Sequence, residues 1–336
     1  MIGRERLHHL VGAFPGRRIL LYGDLVLDRF VLGSPKRISR EAPVIILRFE
    51  EQRDIPGGGA NALANIAALG GVAIPVGFVG DDEPGRSLLA VLQARGVETA
   101  GVTVLPGFRT VTKVRLLAGG PSSLKFQVAR YDIEDTLPVS AGWHDAVARR
   151  LATATSSIEA AAVSDYGYGA VTPNGVALLR ELLPAGALTL ADSRYSLTTL
   201  GRIDGATPNL EELAQVTGDF PRSDTEVAAA AESLRRLLRA RFVVATRGSQ
   251  GLTLVEDGHE PFHLPVFGTD QVADVTGAGD TVLAALALSF AAGASAREAA
   301  CLANIAGGIV VTKLGTATVS AGELHHAIDL ATFLHA

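Results

Sequence analysis

Short apolar runs along this chain alternate with stretches of helical periodicity. Residues 18–22 (Arg-Ile-Leu-Leu-Tyr) are apolar after the first position and end at Gly23-Asp24, the pattern of a strand buried on both faces. Comparable runs near 73–78, 158–163, 187–191, 241–246 and 251–255 predict further strands. Apolar positions three and four apart predict helices near 60–69, 84–95, 140–154, 174–183, 209–217, 224–239, 278–292, 295–311 and 320–331. Such alternation predicts an α/β fold, a doubly wound, mostly parallel sheet flanked by helices, with ligands beyond the carboxyl ends of its strands.

Three segments depart from this rhythm. Residues 44–52 are β-branched and then alternate, and 110–117 and 124–131 alternate on either side of a Gly119-Gly120-Pro121 turn. Alternation leaves one polar face, which does not suit the centre of a parallel sheet. The expectation is a small antiparallel β-sheet at the rim, inserted near 37–54 and 109–131, acting as a lid or a dimer surface. No composition break or repeat divides the chain, so 1–336 reads as one domain.

Composition narrows the class. At 48% hydrophobic and 19% charged, the 336 residues can build a sizeable core. A net charge of −5 without a basic run argues against nucleic-acid binding. The single cysteine, Cys301, lies in an apolar helical pattern and reads as core, and the eight histidines lack metal-ligand spacing. No secretory signal is evident, and the longest uncharged stretch is too short to span a bilayer, so the expectation is a soluble cytoplasmic protein with no membrane partner.

The richest chemistry lies in Asp274-Val275-Thr276-Gly277-Ala278-Gly279-Asp280-Thr281, which opens into an apolar helix. The N–H groups of Gly277, Ala278 and Gly279 at a helix start form an anion site. Asp280 beside it would repel phosphate and is better suited to take a proton from an attacking hydroxyl. The same residues also fit an ordinary turn with a first-turn acid. Gly58 and Asn61, in Pro56-Gly57-Gly58-Gly59-Ala60-Asn61, suit a sugar hydroxyl or a plain glycine loop. Asp24 and Asp28 follow the first strand and suit a polyol or solvent; Ser164-Asp165-Tyr166-Gly167 follows another strand in the same way. Asn209 and Glu212 form an Asn-x-x-Glu at a helix start, able to hold water on Mg²⁺ or merely to begin the helix. Thr246-Arg247-Gly248-Ser249-Gln250-Gly251 reads as a turn or a loop beside a nucleotide. Lys113, Arg115 and Arg37, in or near the lid, suit a substrate phosphate or solvent. A P-loop and an NAD-binding fingerprint are both missing.

Together these residues resemble the ribokinase-like carbohydrate kinases, the PfkB family. The Gly-Gly…Asn element, the Asn-x-x-Glu pair, the Thr-x-Gly-x-x-Gly loop and Asp-x-Thr-Gly-Ala-Gly-Asp occur in the family's order, from about Arg18 to about Ser320. Segments 23–30, 37–44, 112–115, 163–166 and 313–320 are similar to the branch that phosphorylates heptose 7-phosphate for the lipopolysaccharide inner core. That branch is often fused to a nucleotidyltransferase, for which 336 residues leave no room.

The resemblance implies ATP, Mg²⁺ and, as in related members, a K⁺ ion. It implies Asp280 as base, Asp24, Asp28, Gly58, Asn61 and Asp165 on the sugar, and Thr246, Gly248, Gly251 and Asn304 near the nucleotide. Asp274, Thr276 and the backbone around Gly315 are implied as the monovalent-cation site. The expected partner is a small sugar or sugar phosphate, with a homodimer through the lid. The chain departs from the family at Arg40 and at Asp192-Ser193-Arg194-Tyr195, both on the substrate side. A kinase for another sugar or nucleoside, and a non-catalytic sensor, are the alternatives.

Overall fold

The computed structural model describes residues 2–119, 125–137, 141–154, 157–268 and 273–335. Among these, nine strands form one sheet in the order β13-β12-β11-β10-β9-β8-β1-β4-β5. They are β1 (Arg18–Gly23), β4 (Val72–Gly80), β5 (Val102–Leu105), β8 (Ala160–Asp165), β9 (Leu188–Ser193), β10 (Gly205–Ala206), β11 (Phe242–Thr246), β12 (Leu252–Glu256) and β13 (Phe262–Leu264). Pairing is parallel from β5 to β11 and antiparallel at β11–β12 and β12–β13. The continuous apolar run of β1 is explained by its position. Ile19 and Leu21 join the core on one face of the sheet, while Leu20 and Tyr22 join the core on the other.

One face is covered by α2 (Gly59–Ala68), α8 (Ala278–Ala291) and α9 (Ala296–Val310), with α1 (Arg4–Gly12) and α10 (Ala321–Leu330) packed beyond them. The opposite face carries α4 (Ala141–Ala154), α5 (Pro173–Leu182), α6 (Leu210–Thr217) and α7 (Asp224–Leu238). Helix α3 (Glu83–Ala94) packs between the two sheets, and its Leu88 and Leu92 are buried. Helix α8 is apolar all round because Asp280 to Ser289 are all buried. Cys301 is buried in the same core, as its apolar setting predicts. Among the described residues, no helix is long and apolar enough to cross a membrane.

The rim sheet comprises β2 (Leu25–Ile38), β3 (Ile45–Gly58), β6 (Thr112–Ala118) and β7 (Phe126–Ile133), in the order β3-β2-β6-β7. It differs from expectation in two ways. It begins at Leu25, so the segment read as a loop with two acids is mostly a strand. In addition, β2 and β6 run parallel, while the outer pairs are antiparallel. The expected hairpin turn at Gly120 and Pro121 lies outside the described residues, as do position 124 of the second hairpin strand and position 140 of the expected α4. Helix α1 and strands β5, β10 and β13 were not expected. Helix α1 buries Leu7, Leu10 and Val11 on one face, a short signal between His8-His9 and the arginines. The termini are joined there: the His8 and His325 rings stack, and His8 Nε2 lies 2.9 Å from Asp329.

Candidate active site

The first turn of α8 meets the carboxyl ends of the central strands. Gly277, at φ 82°, is its N-cap and supplies no side-chain cap. A Cβ there would lie 2.5 Å from the Asn61 amide nitrogen and 2.6 Å from the Thr316 methyl, so the turn is closed to any other residue. An uncapped helix start directs free N–H groups and the positive end of the helix dipole into the space before it. Asp280, one turn in, is 2% exposed. Its Oδ2 accepts from Asn61 Nδ2 at 3.1 Å and its Oδ1 accepts from the Tyr166 hydroxyl at 2.8 Å. Burial raises its pKa to about 6, against the pull of those two hydrogen bonds.

A cleft of about 860 Å³ opens in front of this turn. Its lining includes Gly58, Asp28, Asp165, Lys113 and Arg115, the segment Thr276 to Asp280, and Asn209, Glu212, Thr246, Gly248, Gly251 and Asn304. Asn61 lies just behind this wall, and it reaches Asp280 and the Gly277 carbonyl rather than the open space. Asp24 is also turned away from the cleft. Its carboxylate accepts from the backbone N–H groups of Tyr166, Tyr168 and Ala170, at 2.8, 3.1 and 3.0 Å, and so pins the loop after β8. Asp165 accepts from the Ser193 hydroxyl at 2.6 Å and from Gly167 N, which shapes the same loop from inside.

The rim sheet contributes an internal ion pair. Asp28 accepts from Arg115 Nη1 at 2.5 Å and from the Thr316 hydroxyl at 2.8 Å. Gly57 leaves room for that carboxylate, because a Cβ there would lie 2.6 Å from it. Arg115 is therefore neutralised. Lys113 is not held in that pair: its ammonium lies 5.1 Å from the Tyr166 ring centre, and burial lowers its pKa. Arg194, from the loop after β9, lies 5.2 Å from the same ring. Arg130 also reaches the cleft but is bound to Asp132 on its own strand. Arg37 is exposed near the far end of β2 and does not line the cleft.

Asn209, also in the lining, caps α6 through a reciprocal capping box with Glu212. The Glu212 carboxylate accepts from Asn209 N and Nδ2 at 2.9 and 2.8 Å, and burial raises its pKa. Asp192, facing both Glu212 and Asp280, is pushed well above the ordinary carboxylate range by burial and by those two charges. No three His, Cys, Asp or Glu among the described residues converge as metal ligands. What the pair Asp192 and Glu212 does fit is a divalent cation that keeps most of its water. Gly251, at φ 85°, lets the 246–251 loop pass under the chain at Leu264 and Pro265, and the Asn304 amide donates to the Pro265 carbonyl at 2.8 Å. The Asp274 carboxylate accepts from Thr276 N and Gly315 N, tying together the three residues expected at a monovalent cation.

Sequence reasoning missed Tyr166 as a site residue, and it flagged Asp192 and Arg194 only as departures. The signal for Tyr166 was its place directly after a strand-end aspartate.

Residues 17–321 match the family described as pfkB family carbohydrate kinase. The bifunctional protein HldE of Caulobacter vibrioides is 40% identical over 327 residues, covering 95% of this chain and 65% of that protein. The chain thus spans a little under two thirds of that relative's length. Arabidopsis thaliana ribokinase, solved with ribose and ATP, superposes with a TM-score of 0.72 at 19% identity, over 94% of this chain and all of that one. Escherichia coli phosphofructokinase-2, solved with potassium, gives 0.75 at 20% identity over 96% of this chain and all of that one. The two solved structures bear on the fold, which is ribokinase-like.

Proposed function

The chain belongs to the pfkB family of carbohydrate kinases, and from that premise we propose that it transfers the γ-phosphoryl group of ATP to the anomeric hydroxyl of heptose 7-phosphate. The observation that carries this reading is Asp280, a buried carboxylate at an uncapped helix start, in a cleft with two cations beside it. The relative named HldE and the heptose-branch segments support the choice of sugar.

The acceptor hydroxyl gives its proton to Asp280 as its oxygen bonds to the γ-phosphorus. The bond from that phosphorus to the β,γ-bridging oxygen breaks, ADP leaves, and Asp280 later releases the proton to solvent. The N–H groups at Gly277 and Gly279 would face the charge that builds on the transferred group, whereas that of Ala278 donates to the Val275 carbonyl at 3.3 Å. Asp28 and Gly58 border the sugar, and Lys113 and Arg194 face its 7-phosphate. Thr246, Gly248, Gly251 and Asn304 border the nucleotide. Mg²⁺ would neutralise the ATP phosphates; Asp192 and Glu212 would hold it through water, and Asn209 would orient the Glu212 carboxylate. Asp274, Thr276 and Gly315 would flank a K⁺ ion.

The rim sheet carries exposed Ile38, Ile45, Phe49, Phe126 and Val128, an apolar surface suited to a second copy of the chain. Use of ATP and a sugar phosphate fits the cytoplasm.

Phosphorus NMR of a reaction holding heptose 7-phosphate, ATP and Mg²⁺ tests the assignment. The expected result is a new sugar phosphorus signal coupled to the anomeric proton, beside the unchanged 7-phosphate. A signal coupled to any other carbon, or none, refutes it.

A further inference from the structure

Tyr166 follows β8 on a loop that the site holds from several sides. Asp24 accepts hydrogen bonds from three backbone N–H groups of this loop, Tyr166's own among them. Gly58, at φ 53°, makes room for the phenol ring, since a Cβ there would lie 3.1 Å from Tyr166 Cε2. Lys113 and Arg194 lie 5.1 and 5.2 Å from the ring centre, where the electron-rich face attracts cations. Burial raises the phenol pKa well above its ordinary value, so the hydroxyl stays protonated and acts as a donor. That donor meets Asp280 Oδ1 at 2.8 Å, while Asn61, from α2, takes Oδ2.

We infer that Tyr166 is a positioning residue for Asp280: its hydroxyl and the Asn61 amide hold the two carboxylate oxygens and fix which lone pairs remain for the acceptor hydroxyl. The inference rests on the reading of Asp280 as the base. Each carboxylate oxygen accepts about two hydrogen bonds, so Tyr166 orients the base without blocking it. The charged groups facing Asp280 are Asp28 from β2, Asp192 from β9 and Arg194 just beyond β9. The two aspartates oppose its charge and Arg194 favours it, while the hydrogen bonds come from Tyr166 and Asn61. A base left to rotate would present the acceptor with the wrong geometry, and proton transfer is sensitive to that placement.

Tyr166→Phe keeps the ring and removes the hydroxyl. The expected result is a kcat about tenfold lower, with KM for ATP and for heptose 7-phosphate within about twofold of the parent. The acid limb of the kcat–pH profile moves to higher pH, because the carboxylate has lost a donor to its charged form. Unchanged kcat with an unmoved acid limb overturns the inference, provided Asp280→Asn is inactive. Activity in Asp280→Asn would instead overturn the reading on which it rests. A lowered Tm with an unmoved limb would reduce Tyr166 to a packing role, and a rise confined to the acceptor KM would make it a substrate contact. Either result also overturns the inference.

Discussion

Replacing Asp280 by Asn separates the proposed catalytic role of this carboxyl from its structural one. The side chain keeps its volume and can still meet both neighbours, its carbonyl oxygen facing the Asn61 amide and its NH₂ facing the Tyr166 hydroxyl. What is lost is the ability to accept a proton. A general base contributes about 10²- to 10⁴-fold, so kcat should fall by at least about 100-fold while ATP still binds.

Stability should move the other way. In the folded protein burial raises this carboxyl's pKa from 3.8 to about 6, which corresponds to about 3 kcal/mol of unfavourable charging. The sign follows from linkage. A raised acid pKa makes the unfolded state give up the proton first, so the penalty is absent below the unfolded value and complete above the folded one. Asp280→Asn should therefore be the more stable protein at pH 8, and its advantage should vanish near pH 4. Steady-state ADP release, nucleotide titration and thermal melts at several pH values read all three quantities. Near-normal turnover would refute the base assignment. A variant less stable than the parent at pH 8 would refute the account of the buried charge.

The remaining predictions address the surroundings of that carboxyl. The wild-type kcat/KM should fall below a pH of about 6 with a slope of one, as Asp280 takes up its proton; a flat profile to pH 5 contradicts this. Lys113→Ala and Arg194→Ala should each raise KM for a phosphorylated sugar by about tenfold or more and leave that for ATP alone, whereas equal shifts in both would place these cations on the nucleotide. Arg115→Ala leaves Asp28 buried without its partner and should cost about 3–5 kcal/mol in denaturant unfolding; a loss under about 1 kcal/mol would mean that the pair is solvated.

Much of the architecture could be read from local pattern because the strands of a parallel sheet, buried on both faces, are short apolar runs such as Ile19 to Tyr22. The first turn of α8 was legible for a similar reason: its glycines, its acid and the apolar helix after them are contiguous. What escaped was set by partners distant in sequence. A charged Asp28 spoils the strand signal of Leu25 to Ile38, and only pairing with Arg115, 87 residues on, and with Thr316 makes it tolerable there. Asp24 looked like a sugar contact because nothing nearby showed that a loop more than 140 residues later would donate three N–H groups to it. Asn61 sits in the expected motif but touches Asp280, a contact that depends on α2 and α8 packing together. Asp192 and Arg194 stood out only as deviations, since their neighbours Glu212, Asp280 and Tyr166 come from other elements.

The central claim is tested most directly by ADP release across matched pairs of phosphorylated and unphosphorylated acceptors, with Mg²⁺ and with K⁺ present or omitted. The pairs would include heptose 7-phosphate and free heptose, and fructose 6-phosphate and fructose. The account predicts that heptose 7-phosphate exceeds every other acceptor in kcat/KM, and that free heptose loses the advantage through KM. Equal turnover of phosphorylated and free heptose, or preference for an unphosphorylated sugar or nucleoside, would contradict it.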